Sequence, residues 1–206
     1  MLRPLPDLPW VSAFPELNLR LYVEVAGKPG IWFISLDATN PLAVWAARRA
    51  FHLPYFCARM KVDRVGERID YASERRSSDH RVAFRGAYWP TGSPFEAKAG
   101  TIEHFLTERY CLYTQRGDGA VVRASVHHPP WPLQPACARI DENTIASAQG
   151  IDLEGAPDLL HFSRKLDVVV WPLEAVSGAP SSSHRSLPRV MLLPRTGGAR
   201  NANCQE

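Results

Sequence analysis

Leu17, Leu19, Leu21, Val23 and Val25 alternate with Asn18, Arg20, Tyr22 and Glu24. Side chains of a strand point to opposite faces in turn, so this run predicts a β-strand with an aliphatic face and a polar face. Gly27-Lys28-Pro29-Gly30 supplies a turn. The unbroken apolar run from Ile31 to Leu36 then predicts a second strand, buried on both faces. Two strands joined this tightly commit the chain to a sheet, and every later element has to fit against it.

A helix interrupts the sheet next. Asn40 is a suitable N-cap and Pro41 suits the first helical position. Leu42 to Ala50 is apolar almost all round, which predicts a helix largely covered by the body of the protein. Arg48 and Arg49 fall in its last turn, where cations suit the dipole, and Pro54 stops it.

Beyond Pro54, alternation predicts strands near 57–64, 67–75, 80–86, 109–115, 120–126 and 133–140. A last strand covers Val168 to Trp171 and is stopped by Pro172. Tyr88 to Gly100 reads as a loop, and short helices are predicted at Ile102–Leu106 and Asn143–Gln149. Many short strands in hairpin order with two or three short helices imply a mainly β (α+β) fold, an antiparallel β-barrel, over residues 1–175 as a single domain. Residues 176–206 are rich in Ser, Gly and Pro and predict a disordered tail.

The formal charge of +3 is misleading, because the tail carries Arg185, Arg189, Arg195 and Arg200 against Glu206 alone. The rest is neutral, which argues against a nucleic-acid partner. No apolar run approaches the ~20 residues needed to span a bilayer, and the N-terminus lacks the apolar stretch of a signal peptide. A cytoplasmic protein with no membrane partner is the expectation. The four cysteines, Cys57, Cys111, Cys137 and Cys204, form no C-x-x-C pair and read as reduced thiols. Histidine and cysteine spacing offers no metal site, and nothing calls for a cofactor.

Six stretches in order, FPELNLRLYV, GIWFISLDATNPLAVWAAR, LPY, FLTERYCLY, VHHPPWPL and HFSRKLDVVVWPL, span about Pro9 to Leu173. In these the chain resembles the YqjF-like family of uncharacterised bacterial proteins, a domain of unknown function in the acetoacetate-decarboxylase-like superfamily. The resemblance implies a cone-shaped antiparallel barrel around an internal pocket. Family members usually carry a segment before the equivalent of Pro9-Trp10, so a truncated or misassigned start at Met1 is expected, or else a barrel open at one side.

Acetoacetate decarboxylase forms a Schiff base through a lysine of depressed pKa, the second of two groups being a neighbouring cation. With a one-residue slip, that lysine falls on Tyr55 and its neighbour on Phe56 of Leu53-Pro54-Tyr55-Phe56. A phenol cannot form an imine, so the resemblance implies the barrel without the decarboxylase chemistry. The enzyme's pocket glutamate falls near Glu16, and Arg48 precedes Pro54 at the spacing of an arginine in the enzyme.

The candidate ligand-binding residues are therefore Glu16, Asn18, Arg20, Tyr22, Arg48 and Tyr55, with Glu16, Tyr55 and His127 as candidates for proton transfer. Glu16, Asn18, Arg20 and Tyr22 share one strand face; the bland alternative turns the leucines inward and leaves this row in water. Arg48 has a structural alternative in pairing with Asp37. For Glu108 and Arg109 a buried ion pair is the expected role. His127 and His128 point oppositely on a strand, so they do not chelate one metal. Lys28, Lys61, Lys98 and Lys165 all lie in polar or turn contexts.

Three functions follow. The leading one is binding of a small organic ligand in an internal pocket. The alternatives are a lyase- or hydrolase-type enzyme acting on a small carbonyl or carboxylate compound, and a structural or assembly protein whose open barrel edge docks a partner or forms a homodimer by strand addition.

Overall fold

Strand β1 (Glu16–Val25) and strand β2 (Lys28–Ala38) form the antiparallel hairpin that the alternation predicts, in a computed structural model that describes residues 14–76 and 79–176 and the backbone of 189–190. The segment before residue 14 and most of the predicted tail lie outside the described residues. Of the tail, Val176 is buried and the backbone of Arg189–Val190 forms a strand, so these residues depart from the expected disorder. A register shift between Leu19 and Arg20 leaves Ile34 without an opposite residue on β1. This bulge kinks the hairpin at its middle.

Helix α1 (Pro41–Phe51) starts where expected. The Asn40 side chain accepts from the backbone N–H of Leu42 at 3.0 Å and of Ala43 at 3.2 Å. It ends at His52 in the left-handed conformation, with φ 52° and ψ 30°. The expectation of a covered helix is corrected: only Ala43 and Val44 are buried, while Leu42 and Trp45 are 61% and 63% exposed. Apolar composition does not say which face of a helix is covered.

Strands β3 (Tyr55–Val65), β4 (Arg68–Arg75) and β5 (Ala83–Pro90) form a meander, so the predicted loop at Tyr88 is still strand. Helix α2 (Ile102–Thr107) is capped by Thr101, whose hydroxyl accepts from the His104 N–H at 3.3 Å. Then come β6 (Cys111–Gln115), β7 (Val121–His127) and β8 (Gln134–Asn143). Because β8 reaches Asn143, the expected helix at 143–149 shrinks to one 3-10 turn at Ser147–Gln149. The two-residue β9 (His161–Phe162) pairs with β8. Strand β10 (Val169–Ala175) runs through Pro172 rather than stopping there. Its register against β7 shifts between Val170 and Leu173, which gives the proline, lacking an N–H, a place outside the ladder. The backbone of β11 (Arg189–Val190) pairs with β1.

The strand order is β10-β7-β6-β2-β3-β4-β5-β8-β9, with β1 and β11 branching from β2. The all-antiparallel expectation is also corrected, because β2 pairs in parallel with two strands. Ile31 and Trp32 lie against Leu112 and Tyr113 of β6, and Leu36 to Ala38 lie against Tyr55 to Cys57 of β3. Pairing among the described residues leaves the path open at β10 and β9 rather than closed into a ring. The bulge at Ile34 separates the two parallel contacts, so β2 is the strand on which the sheet divides.

Both faces of β2 are packed. Leu36, Leu53, Leu112 and Ala124 form one buried cluster, flanked by Ile31, Phe33 and Tyr55. Val23, Cys111, Tyr113 and Val176 form another. The Tyr113 hydroxyl donates to the Lys28 carbonyl at 2.9 Å. Cys57 and Cys111 are free thiols, as expected of both, and Cys204 lies outside the described residues.

Candidate functional site

The register of the β1–β2 hairpin decides where the polar row stands. Asn18 is opposite Leu36, Arg20 opposite Phe33 and Tyr22 opposite Ile31. Antiparallel partners share a face, so the row lies on the side of the Leu36 cluster and not on a free outer surface. The leucine alternative is also half right, since Leu17, Leu19 and Leu21 are half-buried on the other side. Of the row, only Asn18 is exposed.

Glu16 and Tyr55 meet. Leu36 is opposite both Asn18 on β1 and Tyr55 on β3, which brings the start of β3 next to the start of β1. The Tyr55 hydroxyl donates to Glu16 Oε2 at 2.6 Å, and the Asn18 amide lies 3.5 Å from Oε1. Burial pushes the Glu16 carboxyl above its ordinary value of 4.5, against the pull of the Tyr55 and Asn18 hydrogen bonds. Burial, then the charge and hydrogen bond of Glu16, push the Tyr55 phenol far upward. Both groups of the pair are thus shifted upward by burial, the carboxyl less strongly because the phenol donates to it.

The rest of the row is a separate group. Arg20 lies four residues beyond Glu16, roughly 13 Å along a strand. Its Nη2 donates to the Tyr22 hydroxyl at 3.2 Å. Tyr22 packs against Phe105 of α2 at 5.6 Å between centroids, and Arg109 lies 4.0 Å from the Phe105 centroid. The expected Glu108–Arg109 ion pair is not what forms. Arg109 donates to the Glu108 backbone carbonyl at 2.9 Å, and the Glu108 carboxylate takes the Tyr110 hydroxyl.

Arg48 does not face Glu16 with a free guanidinium. It is exposed, and both Nε and Nη2 donate to the Tyr55 carbonyl, tying the end of α1 to the start of β3. His127 stands exposed at the end of β7, opposite Val169. Its neighbour His128 is buried, stacked on Tyr110 at 4.8 Å. Among the described residues no cluster of His, Cys, Asp and Glu could hold a metal ion. Lys61 is exposed and ion-paired with Asp63 at 2.6 Å, which raises its pKa, the reverse of what an imine-forming lysine needs.

Sequence reasoning missed the buried pair of Asp37 and Arg75. Arg75 Nε donates to Asp37 Oδ1 at 2.8 Å, with both side chains almost fully buried. The guanidinium carbon lies 3.9 Å from the Phe56 ring centroid. The available signal was Asp37 itself, an acid at the end of a strand predicted to be buried on both faces. A groove of about 180 Å³ lies elsewhere, on the far side of the meander, lined by Lys61, Asp63, Asp70, Arg85, Arg139 and Asp141 among others. It contains none of the predicted residues.

A family model described as an uncharacterised conserved protein, DUF2071, matches residues 1–167. The chain belongs to the DUF2071 family. Within DUF2071 it is similar to the uncharacterised protein YqjF of Bacillus subtilis (strain 168), at 50% identity over 171 residues, 83% of this chain and 70% of that one. Two solved acetoacetate decarboxylases have a similar fold. One is 14% identical, with a TM-score of 0.52 over 79% of this chain and 68% of the other. The second, from Legionella pneumophila subsp. pneumophila str. Philadelphia 1, is 12% identical with a TM-score of 0.52, over 80% and 67%. At this identity the likeness fixes the DUF2071 fold as acetoacetate-decarboxylase-like and mostly β, and nothing about its chemistry. No helix among the described residues is long and apolar enough to cross a membrane.

Proposed function

We propose that the protein binds a small organic molecule in an internal pocket of a coiled, barrel-like sheet, with Glu16 and Tyr55 as the central polar contacts and without Schiff-base chemistry. The observation that carries this reading is the 2.6 Å hydrogen bond from Tyr55 to a half-buried Glu16 at the edge of an aliphatic cluster. A few polar groups set in apolar walls are the usual composition of a small-molecule site. Asn18 adds an amide at the exposed side. Arg20 and Tyr22 form a second contact further along the row, and Arg48 contributes by holding Tyr55 in place. A cytoplasmic location belongs to the same proposal and is tested by fractionation of the native host.

Native mass spectrometry of the purified protein tests the binding reading. A bound mass lost in Tyr55→Phe supports it; a bare protein from every growth condition and no thermal shift with a metabolite panel overturns it. Borohydride reduction in the presence of keto acids leaves no adduct. A lysine trapped in this way would remove the exclusion of imine chemistry.

The raised pKa of Glu16 favours one second reading, an enzyme in which this carboxyl moves a proton on a small carbonyl or carboxylate compound. Turnover that disappears in a folded Glu16→Gln variant separates it from binding alone.

A further inference from the structure

We propose that the groove over strands β3, β4, β5 and β8 is a binding site for a zwitterionic α-amino acid with an aliphatic side chain. This depression has room for one, about 180 Å³. Ala72 of β4 and Gly86 of β5 form its floor, and neither carries a side chain longer than a methyl group. The walls are longer and charged. Three basic side chains, Lys61, Arg85 and Arg139, are matched by three acidic ones, Asp63, Asp70 and Asp141. A groove that is neutral overall but dense in charge favours a ligand carrying both signs over one carrying either alone.

The strand register sorts those charges. Lys61 of β3 and Arg85 of β5 are the residues opposite Ala72 on its two sides, so two cations flank one methyl group. Two residues along β4, on the same face, Asp70 stands directly opposite Asp63 of β3, so two carboxylates face each other. Like charges placed this way repel, and each pair gains from one unit of opposite charge set between its members. The two pairs lie about 7 Å apart along the strands. An ammonium and a carboxylate on the same α-carbon bridge that spacing with a hydrogen bond of about 3 Å at each end. The methyl floor between them takes an aliphatic side chain and offers nothing to a further charge. The ion pairs already present leave the groove open to exchange. Lys61 holds Asp63 at 2.6 Å and Arg68 holds Asp70 at 3.1 Å, but these four side chains are 35% to 77% exposed, where such pairs contribute little. Arg139 and Asp141 pair with each other at 3.0 Å on the far wall and together add no net charge. The groove shares no residue with the Glu16–Tyr55 pair, and the inference does not depend on the interior reading.

L-Leucine and two analogues test it. 3-Methylbutylamine lacks only the carboxylate, and 4-methylpentanoate lacks only the ammonium. Each is titrated at neutral pH into the whole ¹⁵N-labelled protein while the Ala72 and Gly86 amide resonances are followed. The expected result is saturable movement with leucine at millimolar concentration, and binding of either analogue weaker by about threefold or more, the ratio one exposed charge contact supports. Two variants cross with the probes. Arg85→Gln brings leucine down towards the affinity of the amine without weakening the amine. Asp70→Asn brings leucine down towards the affinity of the acid without weakening the acid. Arg85 and Asp70 are 60% and 42% exposed in their side chains, so both variants keep the fold. Equal affinities for the three probes, no saturation by leucine up to its solubility, or variants that weaken all three probes alike overturn the inference. Leucine shifts confined to Tyr55 and its neighbours also overturn it, and count for the interior site instead.

Discussion

Tyr55 reaches across 39 residues of sequence to place its hydroxyl 2.6 Å from Glu16, joining the first residue of β3 to the first residue of β1. The bond stabilises the ionised carboxyl, so its removal moves Glu16 in a known direction. In Tyr55→Phe the Glu16 pKa rises further above 4.5, because burial remains and the larger of its two opposing hydrogen bonds is gone. Carbon-detected NMR titration of the Glu16 carboxyl measures this. The accompanying loss of stability is about 1 kcal/mol by urea unfolding.

Glu16 also makes stability depend on pH. A carboxyl whose folded pKa is raised holds its proton in the folded state at pH values where the unfolded chain has released it. The contribution of Glu16 to folding stability is therefore greatest below the ordinary carboxyl range and falls as pH rises from about 4.5 through the raised value. Above that value the loss is complete. Glu16→Gln does not titrate, so the difference in unfolding free energy between the two proteins changes across this window and is flat above it. A difference independent of pH would show that Glu16 is not desolvated.

The β1–β2 hairpin, the Asn40 cap and the meander were legible because each is a local pattern: alternation, a capping side chain, a turn. Tyr55 and Glu16 were legible as candidates through motif resemblance, not through any sequence relation to one another. What could not be read is long-range pairing. The division of β2 between β3 and β6 depends on a bulge at Ile34 that alternation does not register, because an apolar run has no phase. Arg75 sits in a charged stretch, Glu74-Arg75-Arg76, where nothing distinguishes the one buried arginine from its exposed neighbours. The exposure of Leu42 and Trp45 was hidden for the same reason, since a helix apolar all round does not indicate its covered side.

Arg75 and Asp37 together form the most buried ion pair described, and such pairs respond asymmetrically to mutation. Arg75→Met leaves Asp37 as an uncompensated buried acid and costs about 3–5 kcal/mol. Asp37→Asn combined with Arg75→Met removes both charges and costs markedly less than the single change. Urea unfolding of the wild type, both single variants and the double variant gives the coupling free energy directly. An additive cycle would mean that the two side chains do not depend on each other.

Gly30 gives the most severe prediction, because its surroundings cannot yield. It is buried near the start of β2, with Tyr113 and Cys111 of β6 packed against it. A Cβ at this position would stand 2.6 Å from the Tyr113 ring and 2.7 Å from the Cys111 carbonyl oxygen. The carbonyl is backbone. The ring is fully buried, with its hydroxyl bonded to the Lys28 carbonyl at 2.9 Å, so neither can move aside cheaply. Gly30→Ala therefore pushes β2 away from β6, at the junction that holds β6, β7 and β10 to the rest of the sheet. Overpacking of this kind costs about 1–3 kcal/mol, more where backbone is the obstacle. Pairing Gly30→Ala with Tyr113→Leu relieves the ring clash but not the carbonyl clash, so thermal unfolding should show partial rescue only. Full rescue would place the whole strain on the ring, and no loss in Gly30→Ala alone would contradict the β2–β6 register.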